Sequence, residues 1–273
     1  MRIKLIAIDI DGTLLDSKGN LSNKNKKAIQ EAQELDIKII LFTGRPYHSA
    51  KEILDKLDLS DKNHLIVTNN GGLIQESKTG KIIHESTFTR AEILDVYQLS
   101  QKLKMPLNLI DSDYVYEPDQ PIGFESIYTG GKSSEKNNLK FVDLDMGKLT
   151  KDFRVNQIIM SRPETELDAI LPKIPENYFE KYNIYKSLSF ILEFLPKDVD
   201  KGNSLDRIRA ILALEKDEIM AIGDQENDLS LLEKAGLGIA MGNAVKEVKE
   251  TANYITKSND RNGLAYAIRK FVL

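Results

Sequence analysis

An almost unbroken apolar run near the start of the chain leads directly into two aspartates. The run extends from Ile3 to Ile8, and the sequence Asp9-Ile10-Asp11-Gly12-Thr13 follows it. A short run of this kind, bounded by a turn, is typical of a strand buried on both faces of a parallel sheet. Because a carboxylate at the end of a buried strand needs a cation, donors or a proton, the feature predicts an α/β fold with a charged site at a strand end.

Two interpretations of these aspartates are open at this point. In the first, they belong to an Asp-rich β-turn and bond only to the local backbone. In the second, they form a metal or phosphate site, because a spacing of two along an extended chain sends both side chains the same way. Gly12 allows a sharp turn and the Thr13 hydroxyl can hold the loop, so we favour the second interpretation.

Composition limits the classes of protein to which the chain can belong. Its 273 residues are 41% hydrophobic and 29% charged, which is typical of a soluble protein with one large or two ordinary domains. Cysteine is absent, which excludes disulfides and thiolate metal sites. No stretch is apolar enough to predict a membrane span, and Asp9 and Asp11 interrupt any signal-peptide core, so we expect a cytoplasmic protein without a membrane partner.

The charge gives no indication of nucleic-acid binding. The formal net charge is -4, so no global basic field attracts a polyanion. The nearest basic run, Lys24-Asn25-Lys26-Lys27, falls in a predicted helix. We interpret it as the solvated face of that helix.

Strands and helices alternate in the first part of the chain. The patterns predict a helix from a Ser22 cap to about Leu35, a strand over Ile37–Phe42, a helix after Pro46 with Ala50, Ile53, Leu54 and Leu57 buried, and a strand over Leu65–Thr68. This alternation predicts right-handed βαβ units and a parallel sheet.

The middle of the chain has a different pattern, typical of an α+β module with antiparallel hairpins. It comprises a hairpin-like connection around Lys78–Lys81, a helix with a capping box at Thr89 to Glu92, strands near Leu107–Ile110, Tyr114–Tyr116, Asn156–Met160, Tyr182–Tyr185 and Phe190–Leu195, a helix near Glu164–Ile174, and a polar loop over Thr129–Asn138. We therefore expect an inserted second domain.

Alternation resumes after about Lys197. We predict a helix over Asn203–Leu214, a buried strand over Ile219–Ile222, and short strands over Gly238–Asn243 and Tyr254–Thr256. The fold class is therefore α/β, with a Rossmann-like parallel-sheet core formed by residues 1–83 and 198–273 and an inserted α+β cap domain over residues 84–197.

Polar side chains follow several of the predicted core strands. Thr43-Gly44-Arg45 follows the second strand, Asn69-Asn70 the third, and Gly223-Asp224-Gln225-Glu226-Asn227-Asp228 a later one, and Lys201 precedes the last α/β units. The carboxyl ends of parallel strands share one sheet edge, so these groups should converge with Asp9 and Asp11. Asp9 and Asp224 offer the hard oxygens that suit Mg²⁺, and a hydroxyl, the Gly44 N–H and the Lys201 ammonium suit a phosphate dianion. The set predicts a Mg²⁺-dependent phosphoryl-transfer centre.

These motifs, in this order, resemble the four motifs of the haloacid dehalogenase-like hydrolases. The motifs are Asp9 to Thr13, Thr43-Gly44-Arg45, Lys201-Gly202 and Gly223 to Asp228. Within that superfamily the chain is similar over nearly its whole length to the Cof-type phosphatases with a large cap, and most of all to YidA-type sugar phosphatases. The similarity is weakest in the cap, which bears on the substrate and not on the chemistry.

The resemblance implies a role for each residue of the site. Asp9 would be the nucleophile that forms an aspartyl-phosphate, and Asp11 the general acid and then the general base. Mg²⁺ would be held by the Asp9 carboxylate, the Asp11 backbone carbonyl and Asp224. The transferring phosphate would be held by the N–H groups of Ile10 and Gly44 together with Thr43, Lys201 and Asn227, and Asp228 would orient Lys201 or a metal-bound water.

Structural explanations remain for several of these residues. Lys201 could be a surface lysine, and Asp224 or Asp228 could cap the next helix. Asn70 is either a turn residue or a substrate contact, and Arg45 either contacts substrate or pairs with an acidic neighbour. Gly131-Lys132-Ser133 ends like a phosphate-binding loop, but Ser126 replaces the required earlier glycine and no buried strand precedes it.

Three alternative functions can be weighed against hydrolysis. A receiver-type signalling module also uses a phosphorylated aspartate, but it has no need of a second aspartate or a cap. A phosphomutase of the same superfamily would depend on a bisphosphorylated activator, and an inactive binding protein would not need all four motifs.

We expect a small phosphorylated metabolite as partner, with no nucleic acid, membrane or protein partner. Linkers near Ile83–Thr87 and Pro196–Asp200 would let the cap move, and loops over Tyr116–Phe124 and Gly130–Asn138 are candidates for substrate selection.

Overall fold

The computed structural model describes residues 3–60, 64–121, 123–127 and 140–273. The chain divides by its contacts into two compact units. The first consists of Met1–Gly44, Ala50–His84 and Asp200–Leu273, and the second of Arg45–Ser49 and Glu85–Val199. The domain boundaries after residues 83 and 197 stay predictions, and no sequence pattern predicted that Arg45–Ser49 would group with the second unit. The polar loop over Gly130–Asn138 and the Gly131-Lys132-Ser133 motif lie outside the described residues.

The described residues form two sheets and a set of helices. The strands are β1 Leu5–Asp9, β2 Lys38–Phe42, β3 Leu65–Thr68, β4 Leu73–Glu76, β5 Ile82–Glu85, β6 Leu107–Ile110, β7 Tyr114–Pro118, β8 Lys140–Leu144, β9 Gln157–Ser161, β10 Tyr182–Leu188, β11 Ile191–Pro196, β12 Ile219–Gly223, β13 Leu237–Ala240 and β14 Tyr254–Ile255. The α-helices are α1 Asn23–Glu34, α2 Tyr47–Lys56, α3 Arg90–Leu103, α4 Glu164–Ile170, α5 Glu176–Lys181, α6 Lys201–Leu212, α7 Leu229–Lys234, α8 Lys246–Thr251 and α9 Gly263–Phe271. None of these helices is both long and apolar enough to cross a membrane.

A parallel sheet forms the centre of the first unit. The strand order is β14-β13-β12-β1-β2-β3-β4-β5, and β1 pairs in parallel with β12 on one side and β2 on the other. Every residue of β1 is buried, because the strand has a neighbour on each edge and is covered on both faces. The predicted parallel α/β core is confirmed, and at its far side β3 pairs with β4 in the antiparallel sense.

Helix α1 begins where the sequence predicts, and helix α6 begins two residues earlier than predicted. Ser22 caps α1 by accepting a hydrogen bond from the Asn25 N–H, and Ala28, Ile29 and Ala32 are buried. In α6 the prediction was two residues late. Asp200 accepts a hydrogen bond of 2.7 Å from the Asn203 N–H and so caps a helix whose first residue is Lys201.

The second unit contains a six-stranded sheet with the order β10-β11-β9-β6-β7-β8. Helix α3 has the predicted capping box of Thr89 and Glu92. The helix packs Ile93, Val96 and Leu99 into an apolar cluster that also contains strand residues such as Leu109 and Phe194.

Three details of the second unit differ from the sequence predictions. Strand β8 was not predicted, and it pairs in parallel with β7. It lies at the edge of its sheet with mostly exposed side chains, so it lacks the apolar alternation of a buried strand. The predicted helix over Glu164–Ile174 ends at Ile170 and continues only as a 3-10 turn, Leu171–Lys173, because Pro172 has no N–H to donate. Helix α5 was also missed, and it has no buried residue to indicate it.

A buried amide in the first unit connects the loop after β1 with the last helix. The Asn25 side chain is 1% exposed. Its Nδ2 donates to the Leu14 carbonyl at 3.0 Å, and its Oδ1 accepts from the Ala265 N–H at 3.1 Å. Residues at the beginning and end of the chain are thereby held together.

We predict that Asn25→Ala lowers the free energy of unfolding by about 1–3 kcal/mol, because it leaves a buried N–H and a buried carbonyl without partners. Urea denaturation followed by circular dichroism measures the change. Asn23→Ala, at an exposed position of the same helix turn, is the matched control and should change the midpoint little. Equal midpoints for Asn25→Ala and the control would contradict the prediction.

Candidate active site

Four neighbouring strands of the parallel sheet end at the polar residues identified in the sequence. In the order β12, β1, β2 and β3 these strands are adjacent. Asp9 is the last residue of β1, Thr43 follows β2, Asn69 and Asn70 follow β3, and Asp224 follows β12. The carboxyl ends of parallel strands lie at one edge, so the topology brings these residues together, as predicted.

A buried lysine connects two of the carboxylates. Lys201 is 0% exposed. Its Nζ donates to Asp9 Oδ1 at 2.6 Å and to Asp228 Oδ1 at 2.7 Å. A lysine ammonium is costly to bury without such partners, so the interpretation of Lys201 as a surface lysine is wrong.

Asp228 is anchored by the backbone at its other oxygen. Its Oδ2 accepts hydrogen bonds from the N–H groups of Asp224 at 2.9 Å and Gln225 at 3.2 Å. Asp228 therefore bonds the backbone at the start of the 3-10 turn Glu226–Asp228 and also pairs with Lys201, whereas its side chain makes no capping hydrogen bond to helix α7. The backbone donors fix the direction in which Asp228 presents Oδ1 to the ammonium.

Burial and charge shift the pKa values of this cluster. Burial raises the pKa of Asp9 well above its ordinary value, and repulsion by Asp228 raises it further, against the attraction of Lys201. Burial also raises the pKa of Asp224, with a further contribution from Asp228, to about 7. Burial alone would lower the pKa of Lys201, but its attraction to Asp228 and Asp9 outweighs that effect and raises it.

The cluster fits a divalent cation. Carboxylate oxygens of Asp9, Asp224 and Asp228 lie within 4.8 Å of one another. When all three carboxylates are ionised, they exceed the single ammonium by two negative charges, which a cation would offset. Asp9 Oδ2 is also buried without a hydrogen-bond partner. An unpartnered carboxylate oxygen beside Asp224 is a suitable ligand for a hard cation such as Mg²⁺.

Two features hold Asp224 close to the loop after β1. The Thr13 hydroxyl donates to Asp224 Oδ1 at 2.8 Å. Gly12 has a φ of 84°, and a Cβ at this position would lie 2.2 Å from Asp224 Oδ2. Glycine is therefore required here both by the backbone conformation and by the close carboxylate.

The turns after β2 and β3 are joined through Asn70. Its N–H donates to the Thr43 carbonyl at 2.9 Å, and its Oδ1 accepts from Asn227 Nδ2 at 2.9 Å. A Cβ on Gly44 would lie 2.6 Å from Asn70 Nδ2, so the glycine permits the close approach. Asn70 is a turn residue with a φ of 52°, and a contact with substrate stays a prediction.

The remaining predicted site residues lie outside the carboxylate cluster. Asp11 is exposed and belongs to a turn over Ile10–Leu14 that begins after β1 ends. The backbone enters a turn directly after Asp9, so the alternation of an extended chain, from which both side chains were predicted to point the same way, does not orient Asp11. Arg45 follows Gly44 directly and groups by its contacts with the second unit.

One polar residue of this site was missed in the sequence. Asn243 Nδ2 donates to the Gly12 carbonyl at 2.8 Å and reaches Asp224 Oδ2 at 3.4 Å, and its Oδ1 accepts from the Asn259 N–H at 2.9 Å. The predicted strand over Gly238–Asn243 ends at Ala240 instead. Asn243 consequently lies beyond the carboxyl end of a strand next to β12, where the argument from topology applied to the other strands would have found it.

Comparison with known proteins gives consistent matches over the whole chain. The family of the haloacid dehalogenase-like hydrolases matches residues 6–268. M6_Spy0533 of Streptococcus pyogenes serotype M6, named as a phosphatase, is 37% identical over 273 residues, 100% of both chains. YwtE of Bacillus subtilis, a 5-amino-6-(5-phospho-D-ribitylamino)uracil phosphatase, is 31% identical over 304 residues and 97% of both chains. The solved structure of the subclass IIB sugar phosphatase BT4131 is similar in fold, with a TM-score of 0.82 over 98% of both chains at 22% identity.

The raised pKa of Asp224 predicts a pH-dependent stabilisation by Mg²⁺. The folded-state pKa of about 7 lies above the ordinary 3.8, so the metal-free folded protein binds an extra proton between these values and loses stability as the pH rises through that window. Mg²⁺ would neutralise the carboxylates that are charged above about pH 7. We expect saturating Mg²⁺ to raise Tm by several degrees at about pH 8 and by clearly less at about pH 5.5.

Thermal melts of the EDTA-treated protein, with and without Mg²⁺, test this expectation. Asp224→Asn should remove most of the difference between the two pH values. An equal gain in Tm at both pH values would show that protons and Mg²⁺ do not compete at these carboxylates.

Asn243→Ala should weaken Mg²⁺ binding about 10-fold, because the amide positions both Gly12 and Asp224 without being a ligand. The Mg²⁺ concentration that gives half of the maximal Tm gain measures the effect. Asn253→Ala is the matched control, since its Oδ1 also accepts a backbone N–H, that of Gly238 at 2.7 Å. If both variants required the same Mg²⁺ concentration as the unmodified protein, Asn243 would have only a structural role.

Proposed function

Because the chain belongs to the haloacid dehalogenase-like hydrolases and is a phosphatase of that family, we propose that it hydrolyses small phosphorylated metabolites, sugar phosphates above all, with Mg²⁺ and through a phosphorylated Asp9. The family match over residues 6–268 and the named phosphatases among the relatives give the reaction class. A receiver-type signalling module does not fit a member of a hydrolase family. The substrate, the cation and the roles of single residues are our proposal.

The observation that carries the proposal is the environment of Asp9. One of its oxygens accepts from Lys201, and the other is buried without a partner. A carboxylate that is fixed at one oxygen and unpartnered at the other is available to a new ligand. We propose that this oxygen either attacks the phosphorus of the substrate or binds a cation.

The first step transfers the phosphoryl group to the enzyme. Asp9 attacks phosphorus, the new bond joins its carboxylate oxygen to phosphorus, and the bond from phosphorus to the ester oxygen breaks. Asp11 gives its proton to the departing alkoxide. Asp11 is exposed, so its carboxyl group is accessible to the leaving group of a bound substrate.

The second step releases phosphate. Asp11, now ionised, removes a proton from water as the water oxygen attacks phosphorus, and the bond from phosphorus to Asp9 breaks. Asp9 returns as a free carboxylate and Asp11 as a protonated acid. The same side chain therefore serves as acid and base, and no other proton carrier is required.

The groups that would hold the phosphoryl oxygens are donors. They are the N–H groups of Ile10 and Gly44, the Thr43 hydroxyl, the Lys201 ammonium and the Asn227 amide. Asn227 donates one N–H to Asn70, and the amide has a second N–H for a ligand. Donors fixed in this way stabilise the charge that develops on the equatorial oxygens.

Asp9, Asp224 and the Asp11 carbonyl would hold Mg²⁺, and Asp228 would orient Lys201. A bound Mg²⁺ lowers the repulsion between an anionic nucleophile and an anionic ester. The fit rests on the unpartnered Asp9 oxygen and the excess negative charge of the cluster.

The substrate class is inferred from two sources. The sequence resembles YidA-type sugar phosphatases, and the relative YwtE is named for a phosphorylated ribityl chain. Both substrates are phosphate esters on a polyhydroxylated carbon chain. We therefore place sugar phosphates first and polyol phosphates second.

We further propose that residues 84–197 act as an inserted cap that selects the leaving group, and that Arg45 and Asn70 contact substrate.

The test is phosphate release from sugar phosphates, polyol phosphates, sugar-acid phosphates and pyridoxal phosphate, with Mg²⁺ or with EDTA. We expect Mg²⁺-dependent turnover, a loss of about 10³-fold or more in Asp9→Asn, and a loss of about 10²-fold or more in Asp11→Asn. Mass spectrometry after rapid acid quench should detect phosphate on the peptide that contains Asp9. Asp217→Asn, an exposed aspartate outside the site, is the matched control and should keep full activity.

The outcomes separate the parts of the proposal. Turnover that persists in Asp9→Asn would refute the covalent mechanism. Turnover in EDTA would refute the dependence on Mg²⁺. Activity that requires a bisphosphorylated sugar and returns phosphate to the sugar would identify a phosphomutase instead.

A further inference from the structure

A concave basic surface lies on the first unit and shares no residue with the candidate active site. The cavity has a volume of about 400 Å³. Five of its lining residues are cationic, and no aspartate or glutamate of the described chain is among them; the five are Lys24, Lys257, Arg261, Arg269 and Lys270. We refer to this surface as the basic pocket. It is unusual in a chain with a net charge of -4.

The positive charge of the basic pocket is poorly balanced within the protein. Arg269 reaches a carboxylate, Glu31, at 3.4 Å. For the other four cations, no carboxylate of the described residues lies within ion-pairing distance. Lys257 and Lys270 instead place their Nζ atoms 4.4 and 4.0 Å from the ring centroids of Tyr266 and Tyr254.

Helix dipoles explain only part of this arrangement. Arg269 and Lys270 lie in the last turn of α9, where cations are stabilising. Lys24 lies in the first turn of α1, and Arg261 in the turn that precedes α9, where a cation meets the positive end of a dipole. Lys257 lies outside any helix. Lys24, Arg261 and Lys257 therefore add positive charge that neither a helix dipole nor a carboxylate of the described residues balances.

The backbone that carries the basic pocket is held by tertiary contacts. The buried Asn25 side chain, next to Lys24, holds α1 to the Ala265 N–H of α9. A Cβ on Gly263 would lie 1.9 Å from the Lys257 carbonyl oxygen, so the backbone of Lys257 is packed directly against the start of α9. The cations are therefore carried by fixed backbone positions, which reduces the entropy that a ligand must offset.

We propose that the basic pocket binds a small polyanion that carries two or more phosphate groups, at a site separate from the candidate active site. The cavity has the size of a small-molecule site. A single phosphate dianion would leave most of the five cations without a partner, whereas two or three linked phosphates match their number. An extended nucleic acid is disfavoured because the rest of the surface carries net negative charge.

The neighbouring tyrosine is consistent with this positive potential. The Lys270 ammonium lowers the pKa of Tyr254 below its ordinary value, and the charge of Lys257 acts in the same direction. The direction of this shift agrees with the positive charge of the basic pocket.

Calorimetric titration of the full chain with inorganic tripolyphosphate in EDTA tests the proposal without using catalysis, so its result does not depend on the proposed function. Removal of divalent cations leaves the carboxylates at Asp9 unneutralised, which disfavours binding of tripolyphosphate there. We expect the double variant Lys257→Gln/Lys270→Gln to bind about 10-fold more weakly or worse, and the affinity of the unmodified chain to fall steeply with salt.

The matched control is Lys148→Gln/Lys246→Gln, which removes two highly exposed lysines elsewhere. It makes the same change in net charge and should bind tripolyphosphate like the unmodified chain. Circular dichroism melts verify that both double variants are folded, as expected because Lys257 and Lys270 are exposed.

Three outcomes would overturn the proposal. The first is no binding of tripolyphosphate by the unmodified chain at low salt. The second is an equal loss of affinity in both double variants, which would assign binding to net charge and not to the pocket. The third is tighter binding of single-stranded DNA than of tripolyphosphate, which would identify a nucleic-acid surface.

Discussion

The buried ammonium of Lys201 between Asp9 and Asp228 is the interaction on which the rest of the site depends. Each group is almost fully removed from water, so none of them is stable there without the others. The pairing fixes the end of β1, the start of α6 and the turn after β12 relative to one another. It also occupies one oxygen of Asp9 and leaves the second available for chemistry.

Short polar links carry this arrangement outward from the ammonium. Thr13 holds Asp224 to the loop after β1, Asn243 joins the same loop to the strand end beyond β12, and the Asn70 side chain in the turn after β3 accepts a hydrogen bond from Asn227 in the turn after β12. Each link uses a side chain of one turn to bond another turn at the same sheet edge. The site is therefore positioned by the sheet edge itself, and glycine is needed where two turns approach closely, as Gly12 does toward Asp224.

The first unit separates charge of opposite sign. The candidate active site concentrates carboxylates against one lysine, which suits a cation together with an anionic ester. The basic pocket concentrates five cations with little compensation. A net charge of -4 conceals both regions, because composition sums charges that the fold keeps apart.

Residue order was enough to predict the parallel core and the polar residues that meet at its edge. Apolar runs that end in polar turns are read directly from residue order, and the topology of parallel strands then brings Asp9, Thr43 and Asp224 to one edge. The sequence could not indicate the edge strand β8, which buries too little to show a pattern, or the role of Asn243, which was assigned to a strand. Tertiary structure alone decided that Lys201 is buried between two carboxylates and that Lys24, interpreted as part of a solvated helix face, lies beside Lys257 and Lys270. A contact such as that between Lys201 and Asp9, which are 192 positions apart, depends on packing, which no local pattern encodes.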